Sequence, residues 1–274
     1  MRFADQVIWI TGASSGIGEG LAVDFHREGA RLILSARRED QLERVKAACT
    51  GAGEILIAPF DVTDDAARVA AVDDVLKHFG RIDMLVNNAG ISQRSLGRDT
   101  ALAVDRRVME IDYFAVIALT KLVLPSMLAR KSGHLVVTSS VAGKFGVWHR
   151  TAYSAAKHAL HGFFDTLRIE LHRENIAVSL LVVAGVQTDI SLKAITGDGS
   201  SFGRMDPTQS EGISIESCAR IVLDGLARKR HEIDVVSRQG RLALWLARFW
   251  PAELYRRMTK WRGQSVLTRL LRRE

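Results

Sequence analysis

Tyr153 and Lys157 lie four positions apart in Thr151-Ala152-Tyr153-Ser154-Ala155-Ala156-Lys157. That stretch reads as helix, so the two side chains share one face. A free phenol titrates near pH ~10, too high for an efficient base at neutral pH, and an adjacent ammonium favours the phenolate. The pair is therefore suited to exchanging a proton with a substrate oxygen. Taken alone it is also an ordinary surface pair, so its company has to decide. Ser140 ends the run Val136-Val137-Thr138-Ser139-Ser140, and a hydroxyl at the carboxyl edge of a sheet could orient the same oxygen.

A second constellation lies near the start of the chain. The apolar run Val7 to Ile10 leads into Thr11-Gly12-Ala13-Ser14-Ser15-Gly16-Ile17-Gly18, after which Leu21, Ala22 and Phe25 begin a helical stripe. Glycines let the backbone turn tightly and approach a pyrophosphate, and the helix that follows presents free N–H groups and the positive end of its dipole. The bland alternative is a tight strand-to-helix turn with no ligand. The next strand ends Leu34-Ser35-Ala36-Arg37-Arg38, with no acid before Glu39. An acid there would suit the 2′-hydroxyl of NAD(H), whereas the planar fork of Arg37 suits a 2′-phosphate, so NADP(H) is the expected cofactor. The competing reading makes Arg37 and Arg38 a solvated loop pair.

The elements that must hold these residues alternate. Val7 to Ile10, Arg31 to Ser35, Ile55 to Ala58, Ile82 to Val86, His134 to Thr138 and Ala177 to Val183 read as strands separated by amphipathic stretches, with Glu232 to Val236 a candidate seventh. This predicts an α/β fold with a doubly wound parallel sheet, Rossmann-like, in a single domain. Before the seventh run, Ile221, Val222, Gly225 and Leu226 form an expected core-facing stripe, with Ser214 or Glu216 near the helix start. Thr196 to Gln209, rich in Gly, Ser and Asp, is the expected mobile loop over a ligand.

The 274 residues, 47% of them apolar, are enough for one large core. The net charge is +7, but ten basic residues against two acids fall between Arg238 and Glu274, leaving the body nearly neutral. No nucleic-acid partner is expected, because no recognition fold accompanies the charge. Cys49 and Cys218 are too few for a disulfide framework, and the start of the chain lacks the pattern of a signal peptide. No uncharged apolar run approaches the roughly 20 residues of a spanning helix. A soluble, cytoplasmic protein is expected, without a bound metal.

Together the turn at Thr11 to Gly18, Asn87-Asn88-Ala89-Gly90, Ser140 and Tyr153-x-x-x-Lys157 resemble the short-chain dehydrogenase/reductase family in order and spacing, over about residues 5 to 237. The resemblance implies a Rossmann-like sheet, with Gly12, Ser14, Ser15, Gly16, Ile17 and Gly18 at the pyrophosphate. It also implies that Asn88, Ala89 and Gly90 line the adenosine side and that Asp61 and Val62 lie near adenine. Ser140 would polarise the carbonyl, Tyr153 would donate the proton, and Lys157 would bind the nicotinamide ribose and assist the tyrosine. The thirteen-residue separation from Tyr153 matches the family at Ser140, leaving Ser139 a packing or turn role. Asp112-Tyr113-Phe114 and the extended C-terminus suggest the branch acting on steroid-like, retinoid-like or other apolar ketones.

Two departures stand out. The family often has Asn where this chain has Asp112, and that Asn helps hold a water in a proton relay through Lys157. An ionised Asp112 could instead pair with Lys157 and weaken its effect on Tyr153, or a backbone carbonyl could hold the water and leave the side chain without consequence. After the sixth strand the family's Pro-Gly reads Ala184-Gly185. Gly185 keeps the bend, and Val186 and Thr188 remain expected contacts at the nicotinamide end.

The tail, residues 238–274, carries the stripe Leu242, Trp245, Leu246, Phe249 and Trp250 with Arg241 and Arg248, then Pro251 opening a helix with Leu254, Met258 and Trp261, and a short last segment with Leu267, Leu270 and Leu271. It could contact a membrane interface or an apolar substrate, or pack on its own core or on a second subunit. The sequence supports an NADP(H)-dependent oxidoreductase acting on a small carbonyl or alcohol substrate, and the family resemblance implies a homo-oligomer. The rival is a cofactor-binding sensor without turnover.

Overall fold

A computed structural model describes residues 1–260; Trp261 and the last tail segment with Leu267, Leu270 and Leu271 lie outside the described residues. Seven parallel strands form one sheet: β1 (Val7–Thr11), β2 (Arg31–Ser35), β3 (Ile55–Ile57), β4 (Met84–Asn87), β5 (Gly133–Ser140), β6 (Ile176–Val183) and β7 (Glu232–Val235). Their order across the sheet is β3-β2-β1-β4-β5-β6-β7. The chain winds outward from β1 through β2 to β3, then returns to lay β4 on the other side of β1. That reversal opens a crevice beyond the carboxyl ends of β1 and β4.

Helices α1 (Gly16–Arg27), α2 (Glu39–Ala48), α3 (Asp65–Phe79), α4 (Leu102–Met109), α5 (Ala115–Arg130), α6 (Thr151–Glu170), α7 (Pro207–Ser210), α8 (Ile215–Ala227), α9 (Arg238–Phe249) and α10 (Pro251–Lys260) surround it. The central strands are largely apolar because both faces are covered, whereas edge strand β7 alternates exposed Glu232 and Asp234 with buried Ile233 and Val235. Alternate residues of β1 divide between two cores: Ile8 and Ile10 pack with Leu21, Phe25 and Val222 from α1 and α8, and Val7 and Trp9 pack with Leu119, Val123 and Phe164 from α5 and α6.

The structure shifts several expected boundaries. The fourth strand begins at Met84 rather than Ile82, and the fifth runs on to Ser140. In α8 Val222, Gly225 and Leu226 are buried as expected, together with Cys218, Ala219 and Leu223, whereas Ile221 faces solvent. Its N-cap is Ser214, whose hydroxyl accepts the Ser217 N–H. The segment Thr196 to Gln209 is tied down rather than free: Ile195 bridges Ser201, and Asp206 caps α7 and pairs with Arg94.

Helices α4 and α5 are joined through one π-helical turn, Glu110–Phe114. The continuous run Leu102–Arg130 is long and apolar enough to cross a membrane by composition. Val116, Leu119, Val123 and Met127 pack it against the sheet, which accounts for that hydropathy.

In the tail, Ala243, Leu246 and Leu254 are buried against Val141, Phe145, Val182 and Val236. Trp245, Phe249 and Trp250, expected on the same stripe as Leu246, instead cluster outward and exposed. The core-facing side of α9 carries Gly240, Ala243 and Leu246, and the two small residues let the helix approach closely.

Candidate active site

The turn between β1 and α1 is shaped by backbone constraints. Gly12 and Gly16 adopt φ of +64° and +61°, in the left-handed region that favours glycine. A Cβ on Gly12 would stand 2.8 Å from the Ala89 Cα, and one on Gly18 only 2.3 Å from the Gly12 carbonyl oxygen. Asn88 locks the turn to the loop after β4: its Nδ2 donates to the carbonyls of Thr11 (3.1 Å) and Gly12 (3.3 Å), and its Oδ1 accepts from the Thr138 hydroxyl at 3.2 Å. The Thr11 hydroxyl accepts from the N–H groups of Asn88 and Ala89.

No side-chain oxygen caps α1 at Ser15, so its first N–H groups face the crevice uncapped, as an anion requires. Arg44, held by Glu19, donates to the Ser14 carbonyl. Sequence reasoning had not singled it out. These features fit a dinucleotide: a cradle that a Cβ would fill, and a helix start left to its pyrophosphate.

At the end of β2 the Ser35 hydroxyl is engaged by the Trp9 indole N–H (2.9 Å), inside the fold. Arg37 is exposed, its Nη1 4.0 Å from Asp61 Oδ2, and Arg38 is exposed at the start of α2. Burial pushes the Asp61 carboxyl up, but the Thr63 N–H and hydroxyl, with Arg37 and Arg107, outweigh it and hold the group below the usual carboxylate range. Val62 packs its side chain toward the sheet-side core.

A cavity of about 550 Å³ lies beyond the carboxyl ends of β5 and β6 and is lined by Ile17, Ser140, Tyr153, Gly185, Val186 and Thr188, among others. The structure thus gathers residues from the glycine turn, β5, α6 and the loop after β6. A Cβ on Gly16 would stand 3.2 Å from Thr188, which marks how closely that loop approaches the turn. Gly185 keeps the bend without proline, at φ +61°. Ser139 and Ser140 both reach the cavity, but the Ser139 hydroxyl is engaged by His161 Nε2 at 3.0 Å. Among the described residues the Ser140 hydroxyl accepts only the Ala142 N–H, at 3.2 Å.

Behind Tyr153, the Lys157 ammonium donates to the Thr138 carbonyl at 3.1 Å and lies 5.5 Å from the tyrosine ring centroid. Its Nζ is also 3.2 Å from Asp112 Oδ2, and both side chains are buried. Asp112 sits in the π-turn; its Oδ1 accepts the Ile91 N–H at 2.7 Å, while Oδ2 meets the ammonium as an ion-pair contact without hydrogen-bond alignment. Gly90 leaves room for it, since a Cβ there would come within 3.3 Å of Oδ1. Burial raises the Asp112 carboxyl above its ordinary value, against the pull of Lys157 and the Ile91 N–H. Burial acts to lower the Lys157 ammonium, but Asp112 and then Tyr153 reverse it and hold it above its ordinary value. Of the two alternatives open for Asp112, the contact with Lys157 is present.

Sequence reasoning missed a charged cluster on the far wall. Arg94, Arg150 and Asp206, from three different loops, all line the cavity. Nothing in the spacing of positions 94, 150 and 206 could signal their meeting; only Arg150, three residues before Tyr153, offered a hint.

A doubly wound parallel sheet with a glycine-rich β1–α1 turn and a Tyr-x-x-x-Lys helix beside its crevice defines a class of nicotinamide-dependent oxidoreductases. The family model for short chain dehydrogenase matches residues 6–198, and the chain belongs to the short-chain dehydrogenase/reductase family. It is 42% identical over 261 residues to a dehydrogenase/reductase SDR family protein 7-like of Anopheles gambiae, covering 93% of this chain and 82% of that protein. It is 41% identical over 256 residues to the human dehydrogenase/reductase SDR family member 7, covering 91% and 76%. Among solved structures, levodione reductase aligns with a TM-score of 0.78 at 28% identity, over 88% of this chain and 99% of that one. A short-chain dehydrogenase/reductase of Burkholderia phymatum in complex with NAD aligns with a TM-score of 0.81 at 23% identity, over 97% and 99%, a likeness of fold.

Proposed function

We propose that this protein is an NADP(H)-dependent reductase of a largely apolar ketone, or the reverse secondary-alcohol dehydrogenase, with Tyr153 as its proton donor or acceptor. The observation that carries the reading is the opening of Ser140 and Tyr153 into one cavity, beside the glycine turn and with Lys157 buried directly behind. Gly12, Ser14, Ser15, Gly16, Ile17 and Gly18 hold the pyrophosphate, Asn88, Ala89 and Gly90 with Asp61 and Val62 the adenosine side, and Gly185, Val186, Thr188, Tyr153 and Lys157 the nicotinamide side. When bound, the nicotinamide supplies or accepts the hydride.

The chain's own residues do the rest. The Ser140 hydroxyl orients and polarises the carbonyl oxygen, and the Tyr153 hydroxyl hands it a proton in reduction or removes one in oxidation. The Lys157 ammonium stands behind Tyr153, and Asp112, 3.2 Å from it, keeps it charged. Val147, Trp148, Val183 and Ile190 give the cavity apolar walls, which suit an apolar substrate body.

Arg37, exposed at the end of β2 with Asp61 as a 4.0 Å neighbour, favours a 2′-phosphate over a 2′-hydroxyl. Residues 1–237 form the catalytic unit and 238–274 its extension. The protein is placed in the cytoplasm as a homo-oligomer, with the exposed Trp245, Phe249 and Trp250 beside Arg241 and Arg248 touching a membrane surface.

The test is consumption of NADPH and NADH against a panel of ketones. NADPH turnover is expected, and Arg37→Ala is expected to lose roughly 10- to 100-fold in NADPH affinity while NADH affinity stays level. No turnover of any ketone, with tight NADPH binding, would favour a cofactor-sensing protein, the second reading that the Asp112–Lys157 pair supports.

A further inference from the structure

Arg94 follows the Asn-Asn-Ala-Gly loop after β4, Arg150 sits at the very start of α6, and Asp206 lies in the long connection after β6. Three loops that share only their position at the carboxyl edge of the sheet thus deliver two guanidinium groups and one carboxylate to the cavity wall. Asp206 Oδ2 is 2.5 Å from Arg94 Nη2 and 3.7 Å from Arg150 Nη2. Its other oxygen is taken by the Thr208 N–H and hydroxyl. One carboxylate, already committed to capping α7, therefore faces two cations.

The excess charge is held where water reaches it poorly. Arg150 is 9% exposed, donates from Nη1 to the buried Ser92 hydroxyl, and stacks its guanidinium 5.7 Å from the Tyr153 ring centroid. The Arg94 guanidinium lies 5.5 Å from the Phe202 ring centroid, and its Nε–H has no acceptor among the described residues. Burial, then Arg94 and Arg150, push the neighbouring His149 imidazole down, as an uncompensated positive field would. A protein that wanted only to anchor a loop would match its charges one to one, because a surplus buried cation is costly. A surplus on a ligand cavity has a use: planar guanidinium groups grip carboxylate or phosphate oxygens in pairs.

We infer that Arg94 and Arg150 form an anion subsite in the substrate cavity, and that the ketone reduced there carries a carboxylate or phosphate ester close to its reacting carbonyl. This rests on the ketone-reductase reading and narrows it: the substrate is amphiphilic, its apolar body against Trp148 and Ile190 and its anionic group against the arginines. The contact of Arg150 with the Tyr153 ring places the anionic group within a few bonds of the carbonyl. Arg94 and Arg150 are positioning and specificity residues; the proton still comes from Tyr153.

The test is the ratio of kcat/KM, with NADPH, for an anionic ketone over its neutral counterpart: levulinate over methyl levulinate, and para-acetylphenyl phosphate over para-acetylphenyl methyl ether. The anion is expected to win by roughly tenfold or more in at least one pair, and the winning pair tells carboxylate from phosphate. Arg94→Gln and Arg150→Gln should each pull that ratio toward one. Asp206→Asn should push it the other way, because the competing carboxylate is gone. A purely structural clamp would respond with one sign, all three variants damaging both substrates of a pair alike and leaving the ratio unchanged, and that result overturns the inference.

If no ketone is turned over, the reductase reading falls and the subsite is judged by binding. Levulinate and para-acetylphenyl phosphate are then titrated into the NADPH complex by Trp148 fluorescence. Binding weakened about tenfold or more by Arg94→Gln supports the subsite; no binding, or binding indifferent to the substitution, contradicts it.

Discussion

The two ends of the sheet both hold polar side chains, and they satisfy them differently. At the amino end Asp83 is fully matched: Oδ2 accepts the Val7 N–H and Arg81 Nε, both at 2.9 Å, and Oδ1 accepts Arg130 Nη1 at 3.0 Å. His134, at the start of β5, meets the Ser179 hydroxyl at 2.8 Å, which in turn donates to the Arg230 carbonyl. At the carboxyl end the polar groups are left incomplete. Asp112 Oδ2, Arg94 Nε, Gln93 Oε1, Gln209 Oε1 and His161 Nδ1 are buried without a hydrogen-bond partner among the described residues, and of such atoms only Arg68 Nε lies elsewhere. A buried polar atom left unmatched costs about 1–3 kcal/mol, so a fold keeps such atoms where something else repays them. The saturated end serves stability and the unsaturated end serves ligands.

That contrast can be broken at either end. Asp83→Ala leaves the Val7 N–H without its acceptor and frees two partly exposed arginines, and is expected to cost roughly 3 kcal/mol in urea unfolding while the folded fraction keeps its turnover. The Asp83 carboxyl is half sheltered, and although burial pushes it up, Val7, Arg81 and Arg130 hold it below its ordinary value. Its stabilisation is therefore present above the usual carboxylate range and lost as pH falls through the lowered value, a loss that Asp83→Asn should not show. Next in size is His134, where burial and then Lys229 push the imidazole down to about 4. It stays neutral in the fold but charges in the unfolded chain, so stability should fall by on the order of 3 kcal/mol as pH drops from about 6.5 to 4. A urea midpoint that is flat over that window contradicts the assignment.

The smallest expected change is at the ligand end. Asp112→Asn removes the carboxylate that holds the Lys157 ammonium above its ordinary value, so the pH–rate profile for alcohol oxidation should move to lower pH. Superimposable profiles would make Asp112 a bystander.

Legibility in the sequence followed the same divide between backbone and side chain. The glycine turn and Tyr153-x-x-x-Lys157 could be read because each lies within one contiguous stretch whose geometry a strand–turn–helix or a single helical turn already sets. The strands were legible because a sheet covered on both faces needs unbroken apolar runs, although β4 begins later and β5 ends later than hydropathy alone suggests. Asp112 was suspected from its departure at a single position, yet its distance from Lys157 needed the π-turn, which leaves no trace in apolar spacing. The Arg94, Arg150 and Asp206 cluster was illegible because its members come from three loops brought together only by sheet order. In the tail, periodicity found the helices but left open what covers the stripe; Leu246 packs inward with Gly240 and Ala243, while Trp245, Phe249 and Trp250 stay exposed.

The central claim is that Tyr153, besides touching the nicotinamide side, moves the proton. It is tested most directly by single-turnover reduction of a ketone by protein preloaded with saturating NADPH, wild type against Tyr153→Phe. Preloading removes cofactor affinity from the comparison. The rate is predicted to fall by roughly 100- to 10,000-fold, the range that loss of a positioned general acid gives. An unchanged rate would contradict the account and move the proton donor elsewhere in the cavity.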